Sequence, residues 1–137
     1  MRIDIKTVLT GAFLILLSIA SCNAQQSKKG LIIETILKSE RVNKFLNLQL
    51  TNGKTIYIIK NEYVNEDLKL SNINYQYIDK QDSSNIKERV LDFSPLEISE
   101  STATFTLFDS FENLSIEGTL KKENGKWTID SFNVFQF

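Results

Sequence analysis

Leu114-Ser115-Ile116-Glu117-Gly118-Thr119-Leu120-Lys121-Lys122-Glu123-Asn124-Gly125-Lys126-Trp127-Thr128-Ile129 is the stretch that decides the fold. Ahead of the Asn-Gly pair, Leu114, Ile116, Gly118 and Leu120 share one side, while Ser115, Glu117, Thr119 and Lys121 share the other. Successive side chains of a strand point to opposite faces, so this alternation predicts a strand with one face on a core and one in water. Glu123-Asn124-Gly125 supplies a tight turn, because asparagine and glycine tolerate positive φ. Trp127 and Ile129 resume the apolar face after it. The apolar phase then slips to Phe132 and Val134 and returns at Phe135 and Phe137. A bulge near Ser131, or burial of both faces, accounts for that slip.

The same pattern extends toward the N-terminus. Residues 109–113 form a turn, and before it Ala103, Phe105 and Leu107 alternate with Thr102, Thr104 and Thr106. Leu96 and Ile98 alternate up to a turn at Glu100-Ser101. Pro95 suits a strand start or a bulge, where a missing N–H is tolerated. From Phe93 onward the chain therefore reads as an antiparallel meander. Residues 86–91 fit no single pattern. The polar stretch 63–85 contains a strand at Ile73-Tyr75-Tyr77 and a loop over 81–85. Leu46, Leu48 and Leu50 alternate before Asn52-Gly53, and Ile56 and Ile58 after it, which predicts another hairpin. Over 31–46, Leu31-Ile32-Ile33 and Ile36-Leu37 fall at helical spacing, although their β-branched content also admits a strand. Ser39 reads as the N-cap of a short second helix carrying Val42, Phe45 and Leu46 on one side. The expected fold class is α+β, with one or two N-terminal helices packed on a curved antiparallel sheet in a single domain over 30–137.

The first residues speak of address. Arg2 and Lys6 precede an apolar run from Val8 to Ala20, interrupted by Thr10, Gly11 and Ser18, and Ile19-Ala20-Ser21 leads into the only cysteine, Cys22. This is the layout of a signal peptide over 1–21, and the run is too short for a membrane-spanning helix. Ile-Ala-Ser-Cys resembles a bacterial lipobox, which implies lipidation of Cys22 and attachment to the membrane through that residue alone. The alternative is ordinary cleavage near Asn23-Ala24, which yields a soluble periplasmic protein. Residues 22–29 are polar and read as a flexible tether. The tether has no acidic residue after the cysteine. Lipoproteins displayed on the surface of Bacteroidetes-type bacteria often carry such an acidic signal, so the expected location is the outer membrane, facing the periplasm.

Helices followed by a sheet that ends Gly118-x-Leu120-Lys121-Lys122-x-Asn124-Gly125-Lys126-Trp127-x-Ile129 resemble the nuclear-transport-factor-like and cystatin-like α+β proteins, a type common among small lipoproteins of Bacteroidetes-type bacteria. The resemblance implies a cone with a pocket between concave sheet and helices. It implies no activity, because such folds host enzymes, binders and interaction modules alike.

Composition narrows the chemistry. The formal net charge is −1 and the charges are scattered, so nucleic acid, which needs a clustered basic footprint, is not an expected partner. The chain has no histidine, which removes the usual general base and imidazole metal ligand. Cys22 is committed to the anchor, and the glycines are too dispersed for a phosphate-cradling loop. No metal or cofactor is expected. The turn carboxylates Glu97, Glu100, Asp109 and Glu112 read as solvated surface charge, and Asp109/Glu112/Asn113 lacks the dense oxygen ligands of a calcium loop. Tyr57, Tyr75, Tyr77, Phe105 and Trp127 are the pocket-lining candidates, with core packing as the plainer alternative. Phe108 and Phe111 mark either a partner surface or residues packed under the helices. The expected function is a non-enzymatic envelope lipoprotein binding a partner protein or small apolar ligand. The alternatives are an Asp/Glu/Tyr-dependent enzyme, or an inhibitor or immunity-type module, against which the polar hairpin tips at 51–54 and 123–126 count.

Overall fold

The computed structural model describes residues 26–48 and 53–137. Cys22, the leader 1–21 and the segment 49–52 lie outside them. Helix α1, Lys28–Lys38, starts where the Ser27 side chain accepts a hydrogen bond from the Gly30 N–H at 3.0 Å. It buries Ile32, Ile33, Ile36 and Leu37 along one stripe, each worth about 1.5–3 kcal/mol when removed from water. Helix α2, Glu40–Leu46, is capped by Ser39 as the sequence predicts and stops at Asn47, whose φ of 51° is left-handed. Residues 31–46 are thus helical, not extended. Lys28 and Lys29 are part of α1, and the Gln26 amide donates to the Lys69 carbonyl at 3.0 Å. The stretch 26–29, read above as tether, therefore belongs to the folded unit.

Six strands follow: β1 Ile56–Ile59, β2 Tyr75–Ile78, β3 Val90–Ile98, β4 Thr102–Asp109, β5 Leu114–Glu123 and β6 Lys126–Gln136. Their order in the sheet is β2-β1-β3-β4-β5-β6. β3 to β6 form the expected antiparallel meander. Asn124 and Gly125 make the β5–β6 turn with φ of 52° and 75°. The other side of the sheet departs from expectation. β1 runs parallel to both β2 and β3, so the sheet is mixed, and neither edge of β1 is open to a hairpin partner. The expected Asn52-Gly53 hairpin falls largely on 49–52, outside the described residues; of its first arm, Leu46 belongs to α2. Parallel neighbours need crossover connections, supplied here by residues 60–74 and 79–89. The first crossover sends Val64, Leu68 and Ile73 into the core; the second carries a short 3-10 helix, Lys80–Asn85, none of whose own residues is buried.

The two predicted irregularities are present. The β3–β4 register shifts between Phe93 and Leu96, around a cis Ser94–Pro95 peptide. In β5–β6, Thr119 faces Ser131 while Leu120 faces Ile129, which leaves Asp130 as a bulge and restores the apolar phase.

One core lies between the helices, the first crossover and the facing side of the sheet. It includes Ile36, Leu46, Ile58, Phe93, Phe105, Leu107, Ile116, Leu120 and Trp127. Trp127 is buried and Thr128 exposed, which matches the phase read from the sequence. Gly118 is required by close approach: a Cβ there would lie 2.7 Å from the Phe105 ring and 2.9 Å from the Phe132 Cβ.

Candidate functional site

The sheet has a second, smaller apolar layer on its other face. Tyr57 pairs with Val90 while Ile58 pairs with Leu91, so alternation turns Val90 away from the main core, as it does Ile59. Ile59 and Val90 are nevertheless buried and stand outside the main cluster. The second crossover shelters them. Its Ser83 and Ser84 form one wall of a cleft of about 350 Å³ that has Ile59, Val90, Asp92, Phe108, Ser110, Asn113 and Phe137 among its lining. The Asn61 amide donates to Asp92 Oδ1 at 2.9 Å and to the Phe93 carbonyl at 3.0 Å, which fixes the Asp92 carboxylate at this wall.

Aromatic rings border the cleft. Phe137 stacks on Phe108 with centroids 6.4 Å apart and planes 22° from parallel. Ser115 sits opposite Phe108 on one side and Phe135 on the other. It is buried, contrary to the outward, solvated position its place in the alternation predicts; the flanking phenyl rings exclude water from its face. Phe108, Phe111, Phe135 and Phe137 are all exposed, Phe111 to 61% and Phe137 to 79%. Phe108 and Phe111 are thus surface residues and do not pack under the helices.

A buried ion pair braces the β4–β5 turn at this end. Arg89 and Asp109 are in direct contact, with the Asp109 side chain fully enclosed and that of Arg89 only 11% exposed. Arg89 also reaches Glu112 at 3.6 Å and lies 4.9 Å from the centre of the Phe111 ring. Asp109 Oδ1 accepts from the Phe111 N–H at 3.0 Å, and the Ser110 N–H and hydroxyl both donate to the Val90 carbonyl at 3.2 Å. Asp109 is therefore not the solvated turn carboxylate expected from the sequence. Burial pushes its pKa up, and the Arg89 guanidinium pulls it back. Its oxygens are taken by Arg89 and the turn backbone, an arrangement that holds Phe111 in place rather than presenting an acid or base.

The five pocket candidates do not converge. Phe105 and Trp127 are core residues of β4 and β6. Tyr75 and Tyr77 stand at the opposite edge, on β2, ring edge to ring face at 5.9 Å. Tyr75 donates to Asp67 at 3.3 Å and Tyr77 to the Glu66 carbonyl, and burial raises the pKa of both phenols. Tyr57 lies on the face away from the main core, beside Val90. Arg89, Asp92, Ser83 and Ser84 were not singled out by the sequence. Their signal was present in one respect: the β3–β4 register sets Leu91 against Asp109, which brings Arg89 beside that carboxylate once β3 is known to begin at Val90.

No protein-family model, no curated protein and no solved structure matches this chain. Among the described residues, no helix is long and apolar enough to cross a membrane, and no group of three or more Cys, Asp or Glu side chains is placed to hold a metal ion.

Proposed function

We propose that this protein is a non-enzymatic lipoprotein of the bacterial cell envelope, anchored through Cys22 to the outer membrane and facing the periplasm. Its domain receives an apolar group, carried by a small ligand or a partner protein, in the cleft beside Phe108 and Phe137. The cleft is the observation that carries this reading: about 350 Å³, with buried Ile59 and Val90 and a stacked phenyl pair among its lining. That volume is at the small end of ligand clefts, and an apolar lining with a few polar groups is their usual composition. Asp92, Ser83 and Ser84 supply the polar groups. Two helices ahead of a sheet that ends in a meander support the likeness to the nuclear-transport-factor-like and cystatin-like proteins, while the parallel β2-β1-β3 side is this chain's own departure from a wholly antiparallel cone.

Two experiments test the proposal. N-phenylnaphthylamine, a neutral dye that brightens in apolar sites, should bind the wild type. Ser84→Trp, which fills the cleft from an exposed position, should weaken binding about tenfold or more with an unchanged circular dichroism spectrum; an unaltered affinity would remove the cleft from consideration. For the anchor, metabolic labelling with a palmitate analogue should mark the wild type and not Cys22→Ala, since only a thiol can form the thioether. Equal labelling of the two would end the lipoprotein reading.

A further inference from the structure

β2 and β6 are the two edges of the sheet. A strand edge exposes a row of free backbone N–H and C=O groups and invites another strand unless it is guarded. β2 is 4 residues long, and shortness is itself a guard. β6 runs for 11 residues and is guarded over its first half only. There Lys126 contributes a charge, Asp130 both a charge and the bulge, and Arg41 of α2 donates to the outward carbonyl of Ile129 at 3.4 Å. The second half and the residue that follows it, Ser131-Phe132-Asn133-Val134-Phe135-Gln136-Phe137, have no charged side chain, no proline, no glycine and no bulge.

Its backbone direction can be read from its partner. The Phe137 N–H donates to the Asn113 carbonyl, toward β5. Alternation then turns the N–H and C=O groups of Phe132, Val134 and Gln136 outward, away from the sheet. The side chains are apolar on both faces, with Phe132 and Val134 against the core and Phe135 and Phe137 on the other side, half-buried at most. A strand that is apolar on both faces gains from cover on the second face as well as the first.

We infer that residues 131–137 of β6 pair antiparallel with the same segment of a second copy of this chain, fusing two sheets into one about a twofold axis at Val134. The segment is compatible with itself in this register. With Val134 opposite Val134, Phe132 falls opposite Gln136, so every outward-facing residue meets an outward-facing residue and each facing pair exchanges two backbone hydrogen bonds. Asn133 falls opposite Phe135 and Ser131 opposite Phe137, so each phenyl ring meets a small or polar neighbour and has room. No like charges are brought together, because the segment has none. Phe135 and Phe137 of both copies then form one apolar surface across the axis. The guarded half of β6 stays outside the pairing.

Cross-linking in the full chain tests this. Val134→Cys places two thiols at the axis with Cα atoms about 5.5 Å apart, within disulfide reach. Mild oxidation should give a covalent dimer as the main product. Wild type, whose only cysteine is Cys22, and Thr128→Cys, on the guarded half, should give little covalent dimer. Phe135→Lys, at an exposed position, sets like charges across the axis and should cut the Val134→Cys dimer about tenfold or more while the fold is retained. Sedimentation equilibrium of the wild type should give the dimer mass. A monomer mass at high concentration, Val134→Cys cross-linking no better than Thr128→Cys, or a dimer indifferent to Phe135→Lys would each overturn the pairing.

Discussion

Gly118 sits mid-strand in β5 with Phe105 directly across on β4 and Phe132 directly across on β6. Replacing it with alanine sets two effects of opposite sign against each other. Glycine in a strand interior costs about 0.5–1 kcal/mol in chain entropy, and alanine would recover that. The added Cβ, however, would stand 2.7 and 2.8 Å from two atoms of the Phe105 ring and 2.9 Å from the Phe132 Cβ. Phe105 is 2% exposed and enclosed by the core, so its ring has nowhere to swing, and the Phe132 Cβ moves only with its backbone. Overpacking of this kind costs about 1–3 kcal/mol. The expected net effect of Gly118→Ala is a loss of about 1–2 kcal/mol. Trp127, the only tryptophan, reports unfolding by its fluorescence, so urea melts give the number directly. In a Phe105→Leu background the obstructing ring atoms are gone. Gly118→Ala should then cost less, because only the Phe132 Cβ contact remains, with a coupling energy of about 1 kcal/mol or more between the two sites. Gly118→Ala as stable as wild type, or equally costly in both backgrounds, would refute the idea that close packing selects glycine here.

Trp127→Ala should cost about 3–5 kcal/mol, while Thr128→Ala next to it should stay within about 0.5 kcal/mol; melts followed by circular dichroism check both, and the reverse order would invert the assigned strand face. Arg89→Ala leaves the enclosed Asp109 carboxylate without its partner and should cost about 3–5 kcal/mol near neutral pH. Burial already makes folded Asp109 hold its proton more tightly than the ordinary value of 3.8. The unfolded chain therefore loses that proton first, and stability from this group is present below that value and lost as pH rises above it. Removing Arg89 raises the carboxyl further, so the variant's deficit should shrink as pH falls toward the acid range. A deficit independent of pH would show that Asp109 is not the group left exposed to the loss.

The C-terminal half of the fold was legible because its determinants are local. Ala103, Phe105 and Leu107 against three threonines, the Asn124-Gly125 turn and the phase slip at Asp130 each report on residues a few positions away. The N-terminal half was not, because β1 finds both neighbours across long crossovers and no turn signal records a parallel pair. Both edges of β1 are taken by strands that the local sequence around it does not name. Val64 and Leu68 are single apolar residues in a polar stretch, and only the fold shows that they reach the core. The site was less legible still. Ile59, Val90 and Ser115 are buried by a 3-10 crossover and by phenyl rings distant in sequence, so alternation alone could not place them. Phe105 and Trp127 belong to the core and Tyr75 and Tyr77 to the opposite edge, a separation fixed by strand order and invisible in composition.

The parallel placement of β1 between β2 and β3 also bears on the order in which the chain can assemble. β3 to β6 close through short turns and can form from nearby residues, whereas β1 has no lasting position until β3, some thirty residues downstream, exists to receive it. α1, α2 and the first crossover pack on a sheet that those first strands cannot build by themselves. A chain delivered N-terminus first therefore has about two-thirds of its length out before the strand that receives β1 appears. Such a chain cannot complete its fold for as long as its last strands are withheld, which would suit the export that the proposed lipid anchor requires.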